Sequence, residues 1–258
     1  MKHHASERPS EGGAERPEEA PATHTRTNTR TRTRIKICGL TREQDVDAAV
    51  AAGADAIGFV LYPKSPRFVT AQRAGELARR LPPMVTPVLL FVNASTPEIV
   101  AAADRVTGAA LQFHGDESAA DCAAAAAATG RPFWRAARIP AHTAAAFDLL
   151  EFAHGFSNAQ AILLDAHVDG YGGGGKTFDW SRLPTNVPAH LVLSGGLTPA
   201  NVGDGIAALR GRGFSLAVDV SSGVEADGPD GKPVKGLKDA AKIHRFVAAV
   251  RAADQPSS

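Results

Sequence analysis

From Arg34 onward, short apolar runs alternate with longer stretches in which alanine and charged side chains recur at helical spacing. The runs are RIKICG (34–39), AIGFVL (56–61), PVLLFV (87–92), AALQFHG (109–115), PFWRAARI (132–139), AILLDA (161–166), HLVLSGG (190–196) and SLAVDVSSG (215–223). Such near-continuous apolar runs suit strands buried on both faces. The segments between them, such as TREQDVDAAVAAG, TAQRAGELARRL and TPEIVAAADRVTG, each open on Thr, a good N-cap. Thr41 with Gln44 resembles a capping box, whereas Thr96 with Ile99 does not. Strands alternating with helices imply parallel pairing through right-handed crossovers. Eight such units in about 220 residues predict a closed (β/α)8 TIM barrel. An open doubly wound sheet is the alternative, but Cys38-Gly39-Leu40-Thr41 is no dinucleotide fingerprint.

Composition sets the limits of this domain. Residues 1–33 hold Pro, Glu and Gly, then TRTNTRTRTR, with almost no large apolar side chains. Such a segment cannot bury enough surface to offset its ordering entropy, so a disordered N-terminal extension is expected there. The expected organisation is one catalytic barrel over 34–252, with a disordered C-terminus over 253–258. The whole chain has 258 residues, 44% hydrophobic and 21% charged, with a formal net charge of +1. That balance offers no global field for nucleic acid or an anionic membrane, and no apolar run is long enough to span one. The two cysteines, Cys38 and Cys122, have neither disulfide-framework nor zinc spacing, so a reducing cytoplasm is the expected compartment.

In a parallel barrel the chemistry sits where strands end. Cys38 ends the first run, and Tyr62-Pro63-Lys64-Ser65-Pro66-Arg67 follows the second. Gln112 and His114 close the fourth, Asp165 the sixth, and Ser194-Gly195-Gly196 the seventh. Asp219 and Ser221-Ser222-Gly223 close the eighth. Strand alternation puts Lys36 and Cys38 on one face, and Gln112 with His114 on one face. A lysine and a thiol facing inward are costly without a purpose. Gly195 and Gly196, with Ser221, Ser222 and Gly223, leave backbone N–H groups for an anion, and Pro199 suits the first turn of a following helix. Together, after the last two strands, these turns predict a phosphate site. Gly172, Gly173, Gly174 and Gly175 suggest a loop that closes over substrate. Gly170, Gly175, Lys176 and Thr177 match the spacing of a nucleotide P-loop, but no helix follows directly and nucleotide binding is the lesser alternative.

RIKICGLT, GFVLYPKSPR, LQFHG, LLDAHVDGYGGGGKTFDW, LVLSGGLTPANV and AVDVSSGVE, in this order, resemble phosphoribosylanthranilate isomerase of tryptophan biosynthesis. The resemblance spans essentially all of 34–252, with Glu225 to Lys235 as a variable loop. It implies an Amadori rearrangement by general acid/base catalysis, with no cofactor or metal. By resemblance, Cys38 is the base and Asp165 the acid, Arg67 pairs with the anthranilate carboxylate, and Asp219 meets the anthranilate nitrogen. Lys36 is expected beside the substrate, supplying the positive charge that would draw Cys38 towards thiolate. His114 and Gln112 are expected to line the pocket. The partner is thus a small phosphorylated substrate, and the chain a monomer or homodimer. Rival possibilities are a related aminoaldose isomerase, which would use two aspartates, and a non-catalytic module that only binds phosphate ligands.

Overall fold

A computed structural model of the chain describes residues 1, 32–140, 147–167 and 179–255. The chain divides into Met1–Arg30, of which only Met1 is described, and the unit Thr31–Ser258. Eight parallel strands close into a barrel in sequence order: β1 (Arg34–Cys38), β2 (Ala56–Val60), β3 (Thr86–Phe91), β4 (Ala110–Phe113), β5 (Phe133–Pro140), β6 (Ala161–His167), β7 (Leu191–Leu193) and β8 (Leu216–Val220). The seam is closed by β8 on β1, with Lys36 opposite Asp219 and Ile35 opposite Val218. Helices α1 (Glu43–Ala52), α2 (Ala71–Ala78), α3 (Thr96–Ala103), α4 (Ala119–Thr129) and α5 (Leu149–Gly155) follow the first five strands. Helix α6 (Val202–Leu209) follows β7, and α7 (Ala240–Asp254) completes the ring. Between β6 and β7 the described residues form only a 3-10 turn, Trp180–Arg182.

Alternation along each strand divides the core. Outward residues such as Ile37, Phe59, Leu89 and Leu164 pack beneath the helices against Val46, Leu77 and Phe246. Inward, Cys38 packs with Val60, Leu90 and Val92 near the strand ends, while Ala136, Ala161, Leu163 and Val192 cluster nearer the strand starts. Between these apolar patches lie buried Lys36, Gln112, His114, Asp165 and Asp219. At the strand starts, Ala56, Ala110, Ala161 and Ala217 leave a hollow of about 650 Å³, at the end opposite the predicted chemistry.

Several local expectations need correction. Only α2 starts as expected, with Thr70 Oγ1 accepting the Arg73 N–H at 3.1 Å. Helix α1 is capped by Arg42 without a side-chain hydrogen bond, so Thr41 and Gln44 form no capping box. Capping boxes instead open α3, where Glu98 accepts from the Ser95 N–H and hydroxyl, and α4, through Ser118 and Asp121. Helix α6 begins after Asn201, so Pro199 lies in the turn before it. The barrel is wider in sequence than expected at both ends. Buried Thr33 donates its N–H and hydroxyl to Asp254, and Ala253 and Asp254 close α7. The expected loop after Glu225 is an antiparallel ribbon, β9 (Glu225–Asp227) with β10 (Pro233–Lys238).

Candidate active site

The rim of the barrel, read from β6 through β7 and β8 to β1, carries Asp165, then two glycine turns, then Cys38. Asp165 and Cys38 therefore stand on facing walls, three strand steps apart of the four that a closed eight-strand barrel allows. The sequence-predicted residues that are described converge on this rim.

Lys36 and Cys38 share the inward face of β1, as alternation requires. Lys36 Nζ donates to Asp219 Oδ1 at 2.9 Å, and both side chains are almost fully buried. Burial pushes the Lys36 ammonium down, but the Asp219 carboxylate and then Cys38 outweigh it, so the ammonium is held above the ordinary lysine range. Burial also pushes the Cys38 thiol up; Lys36 pulls it down, Asp219 pushes it up again, and the net direction is upward. Lys36 therefore pulls the thiol in the expected direction, but burial and the Asp219 carboxylate oppose it. The ammonium is already neutralised by the carboxylate facing it.

On the opposite wall, His114 Nε2 lies 2.9 Å from Asp165 Oδ2, and Gln112 Nε2 lies 3.1 Å from His114 Nδ1. The Gln112 amide nitrogen can only donate, so Nδ1 accepts and the ring proton falls on Nε2, facing the carboxylate. Gln112 Oε1 is buried with no hydrogen-bond partner among the described residues. The turn after His114 is braced from outside the barrel. Arg135 donates to the carbonyls of Phe113, Gly115 and Glu117, and stacks over Phe156 at 5.0 Å.

The two predicted phosphate turns touch each other. Gly195 and Gly196 both adopt left-handed backbone, at φ +78° and +63°. An added Cβ on Gly223 would stand 1.9 Å from the Leu197 carbonyl oxygen, so only glycine lets the β8 turn lie against the β7 turn. Ser194 Oγ reaches Asp219 Oδ2 at 3.5 Å. Ser221 Oγ donates to the Cys38 carbonyl at 3.0 Å, which leaves its backbone, rather than its hydroxyl, for an anion. Gly172 to Gly175 lie outside the described residues.

Arg67 reaches the rim from the segment after β2, but its Nε and Nη2 donate to Glu225 at 2.6 and 2.9 Å. Glu225 and Lys238, both buried, contact Arg67 and Ser221 and are residues that the sequence did not reveal. Their partners lie 158 and 17 residues away along the chain, on elements read as loops. Among the described residues no group of three His, Cys, Asp or Glu converges to hold a metal, and no helix is long and apolar enough to cross a membrane.

Residues 35–249 match the family N-(5'-phosphoribosyl)anthranilate (PRA) isomerase. A protein of that name from Leptothrix cholodnii is 58% identical over 223 residues, covering 86% of this chain and 93% of its own. The crystal structure of the Thermotoga maritima phosphoribosylanthranilate isomerase superposes with a TM-score of 0.69 at 36% identity, covering 85% of this chain and 99% of its own. That enzyme is dimeric. A further isomerase structure, in complex with reduced 1-(o-carboxyphenylamino)-1-deoxyribulose 5-phosphate, superposes at 0.67 with 34% identity, covering 85% and 99% of the two chains. The chain belongs to the N-(5'-phosphoribosyl)anthranilate isomerase family.

Proposed function

We propose that this chain converts N-(5'-phosphoribosyl)anthranilate into 1-(o-carboxyphenylamino)-1-deoxyribulose 5-phosphate, a step of tryptophan biosynthesis in the cytoplasm. The observation that carries this is the order around the rim: a carboxyl on β6, a thiol on β1, and two anion-ready glycine turns between them. A phosphate seated on the β7 and β8 turns would extend the ribose across the mouth, between Asp165 and Cys38.

Asp165 gives its proton to the ring oxygen as the C1–O bond breaks, and the anthranilate nitrogen lone pair forms the Schiff base. His114 Nε2, 2.9 Å from Asp165 Oδ2, is placed to donate to the carboxylate left behind. Cys38 then takes the C2 proton as thiolate, and the released pair forms the enolamine that tautomerises to the ketone. Because burial holds the thiol high, the thiolate is scarce but strongly basic once formed. Arg67 binds the anthranilate carboxylate, Asp219 faces the nitrogen, and Lys36 holds Asp219 in place. Gly195, Gly196, Ser221, Ser222 and Gly223 hold the phosphate, and Gln112 sets the His114 tautomer. None of these steps calls on a metal or cofactor. Two aspartates would be expected in a related aminoaldose isomerase, and Cys38 favours the anthranilate substrate.

The test is turnover of freshly generated phosphoribosylanthranilate by the pure protein, followed by anthranilate fluorescence. No turnover, with phosphate-ligand binding intact, would leave a binding module instead.

A further inference from the structure

The β9–β10 ribbon carries two buried charges that the mechanism above does not use. The Glu225 carboxylate takes two donors of Arg67, and its Oε1 also accepts the Gly236 N–H at 2.8 Å. Lys238 Nζ lies 3.4 Å from that same Oε1 and donates to the Ser221 carbonyl at 2.9 Å. The side chains of Glu225 and Lys238 are both fully buried. A chain of contacts, Arg67–Glu225–Lys238–Ser221, therefore joins two separate parts of the rim. Nη1 of Arg67 meets no acceptor among the described residues.

We propose that Glu225 and Lys238 are positioning residues for the two anionic ends of the substrate. Glu225 grips the Arg67 guanidinium by one edge, so that the other edge is presented to the anthranilate carboxylate. Lys238 holds the Ser221 turn in shape beneath the phosphate. This rests on the roles given to Arg67 and Ser221 above.

Charge and entropy both support the assignment. A guanidinium on a long stem loses rotamer freedom when it binds, and one already fixed by a partner loses less. Glu225 alone would neutralise Arg67 and weaken its hold on a carboxylate. Lys238 restores one net positive charge to the cluster, the sign that an anionic ligand needs. Burial pushes the Glu225 carboxyl up, but the Arg67 hydrogen bond, the Lys238 charge and the Gly236 N–H together hold it below the usual range. A buried charge is expensive unless it is partnered, and here Glu225 is partnered by Arg67, Lys238 and the Gly236 N–H.

The experiment compares Glu225→Gln, Lys238→Met and the double variant with wild type. The probes are the reduced product analogue, the same analogue lacking its ring carboxyl, and inorganic phosphate. Glu225→Gln should weaken the carboxylated analogue about 10-fold and the carboxyl-free analogue less than about 2-fold, with KM rising and kcat nearly unchanged. Lys238→Met should weaken inorganic phosphate and both analogues by a similar factor, about 5-fold. Equal losses for both analogues in Glu225→Gln would mark a purely structural role and overturn the proposal, as would no loss. Should Glu225→Gln fail to fold, the double variant, which removes both charges of the pair, should still show the carboxyl-dependent loss; wild-type affinity there would overturn the proposal. Absence of turnover by wild type would refute the isomerase assignment, while the analogue measurements would still decide the positioning role.

Discussion

Lys36 and Asp219 stand opposite each other across the seam between β1 and β8, and their side chains close a 2.9 Å ion pair inside the barrel. Two residues further along β1, Cys38 feels an ammonium whose charge is already matched, and a carboxylate that opposes its ionisation. The thiol is consequently poised as a strong, reluctant base. Each unit by which its pKa exceeds the working pH costs about 1.4 kcal/mol to ionise, and part of that returns as driving force for removing the C2 proton.

In the free protein, Cys38 should titrate above the ordinary thiol range. The rate of iodoacetamide labelling at Cys38, read by mass spectrometry, should rise about tenfold per pH unit past about pH 8.5. The competing thiol, Cys122, is pushed up to about 12 by burial and does not interfere. A labelling midpoint at or below neutral pH would show that the Lys36 charge does reach the sulfur.

Asp219→Asn should move the same midpoint down by about one unit or more, because it both removes a repelling charge and releases Lys36. Activity should fall nonetheless, since Asp219 also faces the substrate nitrogen. An unchanged or higher midpoint would mean that burial alone sets the thiol, with no contribution from the pair.

The eight strands were legible because a strand buried on both faces must be apolar throughout, and each run stops where polar residues reach the rim. Lys36, Cys38, Gln112 and His114 were legible as inward pairs from alternation alone. What alternation could not supply is pairing across the fold: Lys36 meets Asp219 183 residues away, and Arg67 meets Glu225 158 residues away. The β9–β10 ribbon is not legible because its Gly, Pro and Asp residues signal a loop, although buried Glu225 and Lys238 stand at its two ends. The Ser95 and Ser118 capping boxes do carry a signal, an acidic residue three positions on, but Thr96 beside Ser95 offers a competing N-cap.

His114→Asn should lower kcat by about 10- to 100-fold with little change in KM, because Asp165 loses the donor that stabilises it after proton transfer. Steady-state kinetics decide this. A rise in KM with kcat preserved would make His114 a pocket wall and nothing more.

Gly223→Ala cannot be accommodated at 1.9 Å from the Leu197 carbonyl without parting the β7 and β8 turns. The variant should be destabilised by about 1–3 kcal/mol and should lose affinity for inorganic phosphate by at least about 10-fold. Thermal melting with and without phosphate separates the two effects: phosphate should raise Tm for wild type and barely for the variant. Equal phosphate stabilisation in both would move the anion site away from these turns.

The central claim, that Cys38 and Asp165 act as base and acid on a phosphoribosylanthranilate held between them, is tested most directly by one kinetic comparison. Turnover of freshly generated substrate is followed by anthranilate fluorescence for wild type, Cys38→Ala and Asp165→Asn at matched protein concentration. Wild type should turn over, and each variant should lose at least about 100-fold in kcat while still binding the reduced product analogue. A near-normal rate in either variant would contradict the role given to that residue.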